Sequence, residues 1–239
     1  MRRFLIAANW KMNPAPAGAF DSNSAFKSLG ACDVVVFPSY VEIQKALGAG
    51  FIVGAQCGHA KDCGACTGDV SMKMLREAGC TYVLCGHSER RRSHHETNED
   101  VAEQVVAALE AGLHPIVCVG EGDNEHDSKK KRTVIQAQLK GIPLESEITI
   151  AYEPVWAIGT GKTPTPEEAE EMHTFIRSLL PEDRQEKTRI LYGGSMNALN
   201  AHLLLEQPNI DGGLVGGASL KPNEFKEIID SALEIVERG

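Results

Sequence analysis

One carboxylate stands directly after an apolar run where a buried strand is expected to end. The run ITIAY, residues 148–152, leads into Glu153, and Pro154 stops the strand there. The next four residues, VWAI, are apolar, and an apolar surrounding that excludes water makes a carboxylate a stronger base. Glu153 is therefore a candidate general base, with a structural ion pair as the alternative interpretation.

Other polar residues follow apolar runs in the same way. Asn9 and Lys11 follow RFLIAA, and His87 closes TYVLCGH with Ser88 and Glu89 directly after it, which is an N-terminal helix signal. Because a helix N-terminus disfavours the imidazolium, His87 is a candidate neutral hydrogen-bonding group. The simpler interpretations are a solvated lysine and a buried core histidine.

Two glycine pairs end further apolar runs. The segments are YGGS at 192–195 and GGLVGGASL at 212–220, and each leads into a helix-like stretch. Their backbone N–H groups could form a nest for a phosphate, whereas tight turns that need positive φ are the simpler reading. The net charge of −9 disfavours nucleic acid or an anionic membrane as a partner, so an anionic ligand would need a few local donors.

Eight short apolar runs supply the strands that would position these residues. They are apolar throughout rather than alternating, as expected for strands covered on both faces of a parallel sheet, and helix signals separate them. We therefore predict a single α/β domain over residues 1–239 with the (β/α)8 barrel fold, and an open doubly wound sheet is the structural alternative. The eight runs are RFLIAAN, DVVVFP, FIVGAQ, TYVLCGH, PIVCVGE, ITIAYE, RILYGG and DGGLVGG.

The predicted barrel would gather the polar residues at one end. In such barrels the carboxyl ends of the strands carry the chemistry, and Asn9, His87, Glu153 and both glycine pairs stand at such ends. Seven cysteines, an odd number without an export signal, favour a reducing cytoplasm, and no apolar run approaches the ~20 residues of a membrane helix. We therefore expect a cytoplasmic enzyme.

Six motifs together resemble the triosephosphate isomerase family over essentially the whole chain. They are AANWKMN, CGHSERR, HPIVCVGE, AYEPVWAIGTG, LYGGS and LVGGASL, in this order and at matching strand ends. The resemblance implies a TIM-barrel homodimer, without metal or organic cofactor, that interconverts dihydroxyacetone phosphate and D-glyceraldehyde 3-phosphate in glycolysis and gluconeogenesis. Other phosphate-binding barrels share the final glycine pair but do not account for NWK or EPVWAIGTG.

The resemblance also implies roles for individual residues. Glu153 matches the base that moves a proton between adjacent carbons through an enediolate, and His87 matches a neutral electrophile helped by Asn9; this pairing is already established for the family. Lys11 matches the substrate-facing cation, and Glu89 matches the carboxylate that holds that lysine. The matching phosphate-binding amides are those of Gly159, Ser195, Gly216 and Gly217.

A mobile lid is implied for the segment after Glu153. The resemblance implies that the apolar tip of this segment moves over bound substrate about two hinges and excludes water from Glu153. This motion is established for the family. The lid residues are Pro154, Val155, Trp156, Ala157, Ile158, Gly159, Thr160, Gly161 and Lys162. A family member without activity, kept as a scaffold, would be expected to lack one of the catalytic residues, and none is missing.

Residues 56–69, QCGHAKDCGACTGD, depart from the family pattern. The resemblance implies that loop 60–71 inserts into a partner subunit. Cys66 stands at a position where the family usually has an aromatic residue. The same stretch presents four potential zinc ligands, which are Cys57, His59, Cys63 and Cys66. We favour the dimer loop over a structural metal, because the barrel already explains the loop.

Overall fold

Eight parallel strands pair in chain order and close into a barrel. The computed structural model describes residues 2–28, 30–122, 128–155 and 163–238. The strands are β1 (Phe4–Asn9), β2 (Cys32–Phe37), β3 (Ile52–Ala55), β4 (Tyr82–Cys85), β5 (His114–Val119), β6 (Thr149–Tyr152), β7 (Ile190–Tyr192) and β8 (Gly212–Val215). Closure comes from β1, which pairs with β2 on one side and with β8 on the other, Leu5 lying opposite Gly212. The (β/α)8 prediction is confirmed, and the open-sheet alternative is wrong.

The strands are apolar on both sides because two separate cores cover them. Along β1, Leu5 and Ala7 belong to a core inside the barrel, whereas Phe4, Ile6 and Ala8 belong to a larger core between the barrel and its helices. Every residue of β1 is buried as a result. This two-sided burial explains the continuous apolar runs in the sequence.

Helices follow most of the strands in the described part of the chain. They are α1 (Ile43–Gly48), α2 (Met72–Glu77), α3 (Ser88–Ser93), α4 (Asn98–Glu110), α5 (Ser128–Leu139), α6 (Pro166–Ser178), α7 (Glu182–Gln185), α8 (Ala201–Leu205) and α9 (Pro222–Arg238). Thr97 and Thr165 precede α4 and α6, and each forms a reciprocal capping box with the third helical residue. Among the described residues, none of the helices combines the length and apolar character needed to cross a bilayer.

The first connection differs from the prediction of a helix after every strand. Its described residues, 10–28 and 30–31, form turns and contain no α-helix. Pro14 and Pro16 lack the N–H groups that a helix would need, and Gly18 takes a left-handed φ of 78°. The segment PAPAG therefore cannot form a regular helix. Aromatic residues farther along this connection nevertheless pack into the core between the barrel and its helices.

Candidate active site

The carboxyl ends of the strands surround a cavity of about 650 Å³. Asn9 ends β1, His87 follows β4, Glu153 follows β6, and the glycine pairs follow β7 and β8. The residues that line this cavity include Asn9, Lys11, His87, Glu89, Glu153, Ser195, Gly216 and Gly217. The structure thus brings together every predicted catalytic residue, and it includes the phosphate-binding candidates other than Gly159.

Glu153 and His87 form a buried pair in close contact. Oε1 of Glu153 lies 3.0 Å from Nε2 of His87, and Oε2 accepts a hydrogen bond of 2.8 Å from the backbone N–H of Ser88. Only 2% of Glu153 and 6% of His87 are exposed to solvent. One carboxylate oxygen of Glu153 is therefore held by a backbone hydrogen bond, and the other lies against the imidazole of His87.

The helix after β4 fixes the tautomer of His87. His87 is the N-cap residue of α3, and its Nδ1 accepts a hydrogen bond of 3.2 Å from the backbone N–H of Glu89. A nitrogen that accepts this bond carries no proton, so the ring proton of the neutral imidazole lies on Nε2. Nε2 is the ring nitrogen nearest Glu153, and its proton is the one a neutral electrophile would donate.

Two glycines allow neighbouring strands to support Glu153 closely. The backbone N–H of Glu153 donates to the carbonyl of Val119 at 2.7 Å. A Cβ on Gly120 would lie 1.7 Å from the carbonyl oxygen of Glu153, and a Cβ on Gly193 would lie 2.8 Å from its Cγ. Larger residues at these two positions would therefore displace the carboxylate.

Lys11 is held by its backbone and by its side chain. Its φ is 52°, an unusual value for a residue other than glycine, and such strain is typical of functional sites. The Oδ1 of Asn9 accepts the Lys11 N–H at 3.0 Å, and Nε2 of Gln56 donates to the Lys11 carbonyl at 2.8 Å. Nζ donates to Oε1 of Glu89 at 2.6 Å, which aims the ammonium group across the cavity.

The ion pair with Lys11 determines the charge of Glu89. Partial burial would raise the pKa of this carboxyl, but the hydrogen bond and positive charge of Lys11 outweigh burial and leave the pKa below its ordinary value. Glu89 is therefore ionised at neutral pH. The predicted contact between these two residues is present, while its role in the reaction remains a prediction.

A second buried carboxylate supports the described beginning of the lid. Glu121 is fully buried, its Oε1 accepts the Tyr152 hydroxyl at 3.0 Å, and its carbonyl accepts the Val155 N–H at 3.0 Å. Burial, reinforced by the negative charge of Glu121, raises the pKa of Tyr152, which stays protonated and can donate this bond. The sequence analysis missed Glu121, although it follows β5 just as Glu153 follows β6.

The last glycine pair lies beside Lys11 and leads into a short 3-10 turn. A Cβ on Gly216 would lie 3.0 Å from Cε of Lys11, whereas a Cβ on Gly217 would meet no atom within 4 Å. The Gly216 carbonyl accepts both the N–H of Ser219, at 2.9 Å, and its hydroxyl, at 2.7 Å. The turn Gly217–Leu220 is thereby fixed, with the open side of Gly217 in the cavity wall.

Part of the predicted site falls outside the described residues. Pro154 is buried and Val155 is half-buried, and both follow β6 as predicted. The remaining lid residues, including one predicted phosphate donor, lie in the undescribed range 156–162; they are Trp156, Ala157, Ile158, Gly159, Thr160, Gly161 and Lys162.

The four-ligand zinc set is not assembled in the loop at 56–71. His59 and Cys66 lie near Asp69, with one potential ligand atom of each within 4.8 Å of the others, whereas Cys57 lies 2.9 Å from the hydroxyl of Tyr40. The Nδ1 of His59 accepts the Lys61 N–H at 2.9 Å, which leaves the ring proton on Nε2, the nitrogen nearest Asp69. His59 is thus hydrogen-bonded within the loop, and Cys57 lies apart from it beside Tyr40.

These features define a (β/α)8 barrel with a polar cavity at the carboxyl ends of its strands, the arrangement of a barrel enzyme. The family model described as triosephosphate isomerase matches residues 4–232. Triosephosphate isomerase of Halorhodospira halophila is 47% identical over 253 aligned positions, which cover 98% of this chain and 100% of the relative. Triosephosphate isomerase of Chromohalobacter salexigens is 46% identical, and the alignment covers 97% of this chain and 100% of the relative. Triosephosphate isomerase of Paracidovorax citrulli is 43% identical, and the alignment covers 97% of this chain and 99% of the relative. The chain belongs to the triosephosphate isomerase family, and the resemblance noted in its sequence is confirmed.

Proposed function

We propose that this chain interconverts dihydroxyacetone phosphate and D-glyceraldehyde 3-phosphate, an isomerase step of glycolysis and gluconeogenesis. The observation that carries the proposal is the buried pair of Glu153 and His87, whose Oε1 and Nε2 atoms are 3.0 Å apart at the mouth of the barrel. A carboxylate and a neutral imidazole at this distance suit the removal of a proton from a carbon next to a carbonyl group.

The proposed reaction uses Glu153 as the base and His87 as the hydrogen-bond donor. Glu153 takes a proton from one substrate carbon, an enediolate forms, and the hydroxyl proton passes to the former carbonyl oxygen. The same carboxylic acid then returns its proton to the neighbouring carbon. During this step the Nε2–H of His87 donates to the substrate oxygen that gains negative charge, assisted by Asn9. In the free protein Nε2 lies 3.0 Å from Oε1 of Glu153, a contact that substrate binding must replace.

Phosphate binding is assigned to backbone amides and one lysine. Ser195, Gly216 and Gly217 line the same cavity as the acid–base pair, and Lys11 crosses it with its ammonium group. Together with Gly159, they would supply the local donors that an anionic substrate needs in a protein of net charge −9. We further propose that residues 154–162 form a lid that excludes water from the enediolate.

A coupled assay of the purified chain with D-glyceraldehyde 3-phosphate tests the reaction. We expect turnover that His87→Gln reduces at least about 10²-fold, because the electrophile is removed. His202→Gln is the matched control, since His202 is half-buried on α8, outside the cavity lining, and pairs with Glu206 at the end of that helix. A wild-type chain without isomerase activity would favour a silent scaffold, and activity on other phosphorylated sugars alone would favour a different barrel isomerase.

We propose that the chain forms a homodimer through loop 60–71. A second cavity, of about 510 Å³, opens beside the active site and shares Lys11 and His87 with it. Exposed apolar side chains line it, with Met12 96% and Tyr40 40% exposed, and the tip of the loop is itself exposed. Insertion of a partner's loop would cover these side chains, and sedimentation of the purified chain at dimer mass is the expected result.

We infer a cytoplasmic location from the thiols. All seven cysteines are free, and four of them, Cys32, Cys80, Cys85 and Cys118, are buried. A chain with many thiols and no disulfide is typical of a reducing compartment. Fractionation of the source cells, with isomerase activity followed in each fraction, is the measurement that checks this location.

A further inference from the structure

The guanidinium group of Arg91 connects two strand ends behind the acid–base pair. Its Nε donates to the carbonyl of Gly86 at 2.8 Å, and one Nη atom donates to the carbonyl of Cys118 at 3.4 Å. The other Nη atom donates to Oδ1 of Asn98, the first residue of α4, at 2.8 Å. One planar side chain therefore holds the ends of β4 and β5 and the start of α4 in a fixed relation.

The two carbonyls that Arg91 holds belong to the supports of the catalytic pair. Gly86 is bonded directly to His87, and Cys118 precedes Val119, whose carbonyl accepts the backbone N–H of Glu153. The pairing of β4 with β5 ends where Cys85 lies opposite Val117. The Arg91 side chain thus ties the strands together just beyond the last ladder pair, where the backbone no longer does so.

The space for this side chain depends on the absence of a Cβ at residue 86. Gly86 has a φ of 71°, and a Cβ there would lie 2.8 Å from an Nη atom of Arg91 and 2.7 Å from Cγ2 of Val101. The left-handed backbone favours glycine, and the close approach of the guanidinium requires it. Gly86 and Arg91 therefore form one structural unit.

Arginine has a geometric reason to be present here. Its three nitrogens reach three separate neutral acceptors, which a single lysine nitrogen cannot do. Among the residues that the structure describes, no carboxylate forms an ion pair with Arg91, in contrast to the neighbouring Arg90, whose Nε lies 2.6 Å from Glu96. Charge pairing therefore does not explain the position of Arg91, whereas alignment of the strand ends does.

We infer that Arg91 is a positioning residue, which sets the distance between Nε2 of His87 and the carboxylate of Glu153 by clamping the ends of β4 and β5. This inference rests on the proposed isomerase reaction, because only that reaction gives the distance a catalytic meaning. Loss of the clamp should displace the pair by a fraction of an ångström to about 1 Å, and such a displacement can cost up to ~10²-fold in rate.

Arg91→Lys tests the clamp because it keeps the positive charge and loses the three-way geometry. We expect kcat to fall about 10- to 100-fold per folded molecule, while KM and inhibition by inorganic phosphate stay within about twofold. We expect Arg91→Ala to regain part of its kcat when guanidinium is added at millimolar concentration, with sodium chloride as the ionic-strength control. Wild-type kcat in Arg91→Lys would overturn the inference.

Arg177→Lys and Arg177→Ala are the matched controls for a purely structural role. Arg177 is multiply hydrogen-bonded like Arg91, although it is more deeply buried and forms an ion pair with Asp211; it holds Thr188 and Asp211 at the amino ends of β7 and β8. We expect these variants to melt at lower temperature with unchanged kcat per folded molecule and no response to guanidinium. If Arg91→Lys behaved in the same way, the side chain would serve stability alone.

A measurement without substrate separates this inference from the proposed reaction. Nitrogen-15 NMR of the free protein reports the Nε2–H of His87, assigned by its loss in His87→Gln. We expect the signal to shift or broaden in Arg91→Lys, because the distance between Nε2 and the Glu153 carboxylate increases. An unchanged signal would refute the positioning role, whereas an inactive wild-type chain would refute the proposed function.

Discussion

Shortening Glu153 by one methylene tests the position of the base while keeping its charge. Its carboxylate is now held 3.0 Å from Nε2 of His87 and 2.8 Å from the N–H of Ser88. Glu153→Asp withdraws the group by about 1 Å, so both distances approach about 4 Å and exceed hydrogen-bond length. The reacting carbon would then lie beyond the same reach, and we expect kcat to fall about 10²-fold, equivalent to ~2.7 kcal/mol of barrier.

The assay compares kcat, KM and melting temperature for Glu153→Asp and Glu153→Gln. We expect KM to change little in either variant, because phosphate binding is assigned to backbone amides and Lys11 rather than to this carboxylate. Glu153→Gln keeps the length but removes basicity, so it should lose more activity than Glu153→Asp. Near-normal turnover of Glu153→Asp, or unfolding at the assay temperature, would refute the role of Glu153 as base.

Three further predictions concern charge, assembly and pH. Lys11→Met should lower kcat/KM roughly 10- to 100-fold, because a charge-assisted contact contributes about 1.5–3 kcal/mol, and wild-type kcat/KM would identify Lys11 as a merely solvated lysine. Alkylation of Cys57, Cys63 and Cys66 should convert the dimer to monomers in sedimentation, and a dimer that survives full modification would contradict this; metal analysis of the same sample checks for zinc. Burial lowers the pKa of His114 to about 4, below the ~6.5 of an unfolded chain, so the unfolded state binds the extra proton between these values. Stability should therefore fall as pH falls through that window, by up to ~1.4 kcal/mol per unit, and His114→Gln should flatten urea-unfolding free energies measured from pH 7 to pH 4.

Residues that follow strand ends could be predicted from the sequence because the chain marks them locally. Glu153 is preceded by an apolar run and followed by proline, and these neighbours fix both the strand end and the direction of the chain. The start of α6 was equally predictable, since Thr165, Pro166 and Glu168 form its cap within four residues. Such signals depend only on nearby residues, so one sequence is enough to detect them.

Contacts between distant segments could not be predicted in this way. The acceptors of Gln56 are the carbonyls of Lys11 and Phe37, and those of Arg91 include a carbonyl of β5, so no short motif encodes either contact. The positive φ of Lys11 likewise depends on partners from elsewhere in the fold. The described residues between β1 and β2 contain no α-helix, and the prediction of one there failed for a different reason. The prolines of this segment are visible in the sequence, but the regular alternation of strands and helices was given more weight.

Alternate residues of a strand belong to the core inside the barrel and to the core around it, so the side chains that reach the active site are expected at every second position. In β1 the inward residues are Leu5 and Ala7, so Asn9 is the next to face the barrel, and in β6 Ala151 places Glu153 inward in the same way. His87 breaks the rule, since Leu84 faces inward and the next inward position is Gly86. The left-handed backbone at Gly86 turns the chain and returns His87 to the cavity.

Deletion of one residue would therefore act differently at different strands. Removing a single residue from the middle of β1 would leave an apolar strand able to pair with its neighbours, yet it would turn Asn9 away from the cavity and toward the helices. Ahead of His87, a change in residue count could be absorbed by the turn at Gly86. Whether Asn9 and Glu153 face the cavity thus depends on an odd or even number of residues along β1 and β6. A substitution does not change that number, so it cannot restore the orientation of the side chain after a deletion.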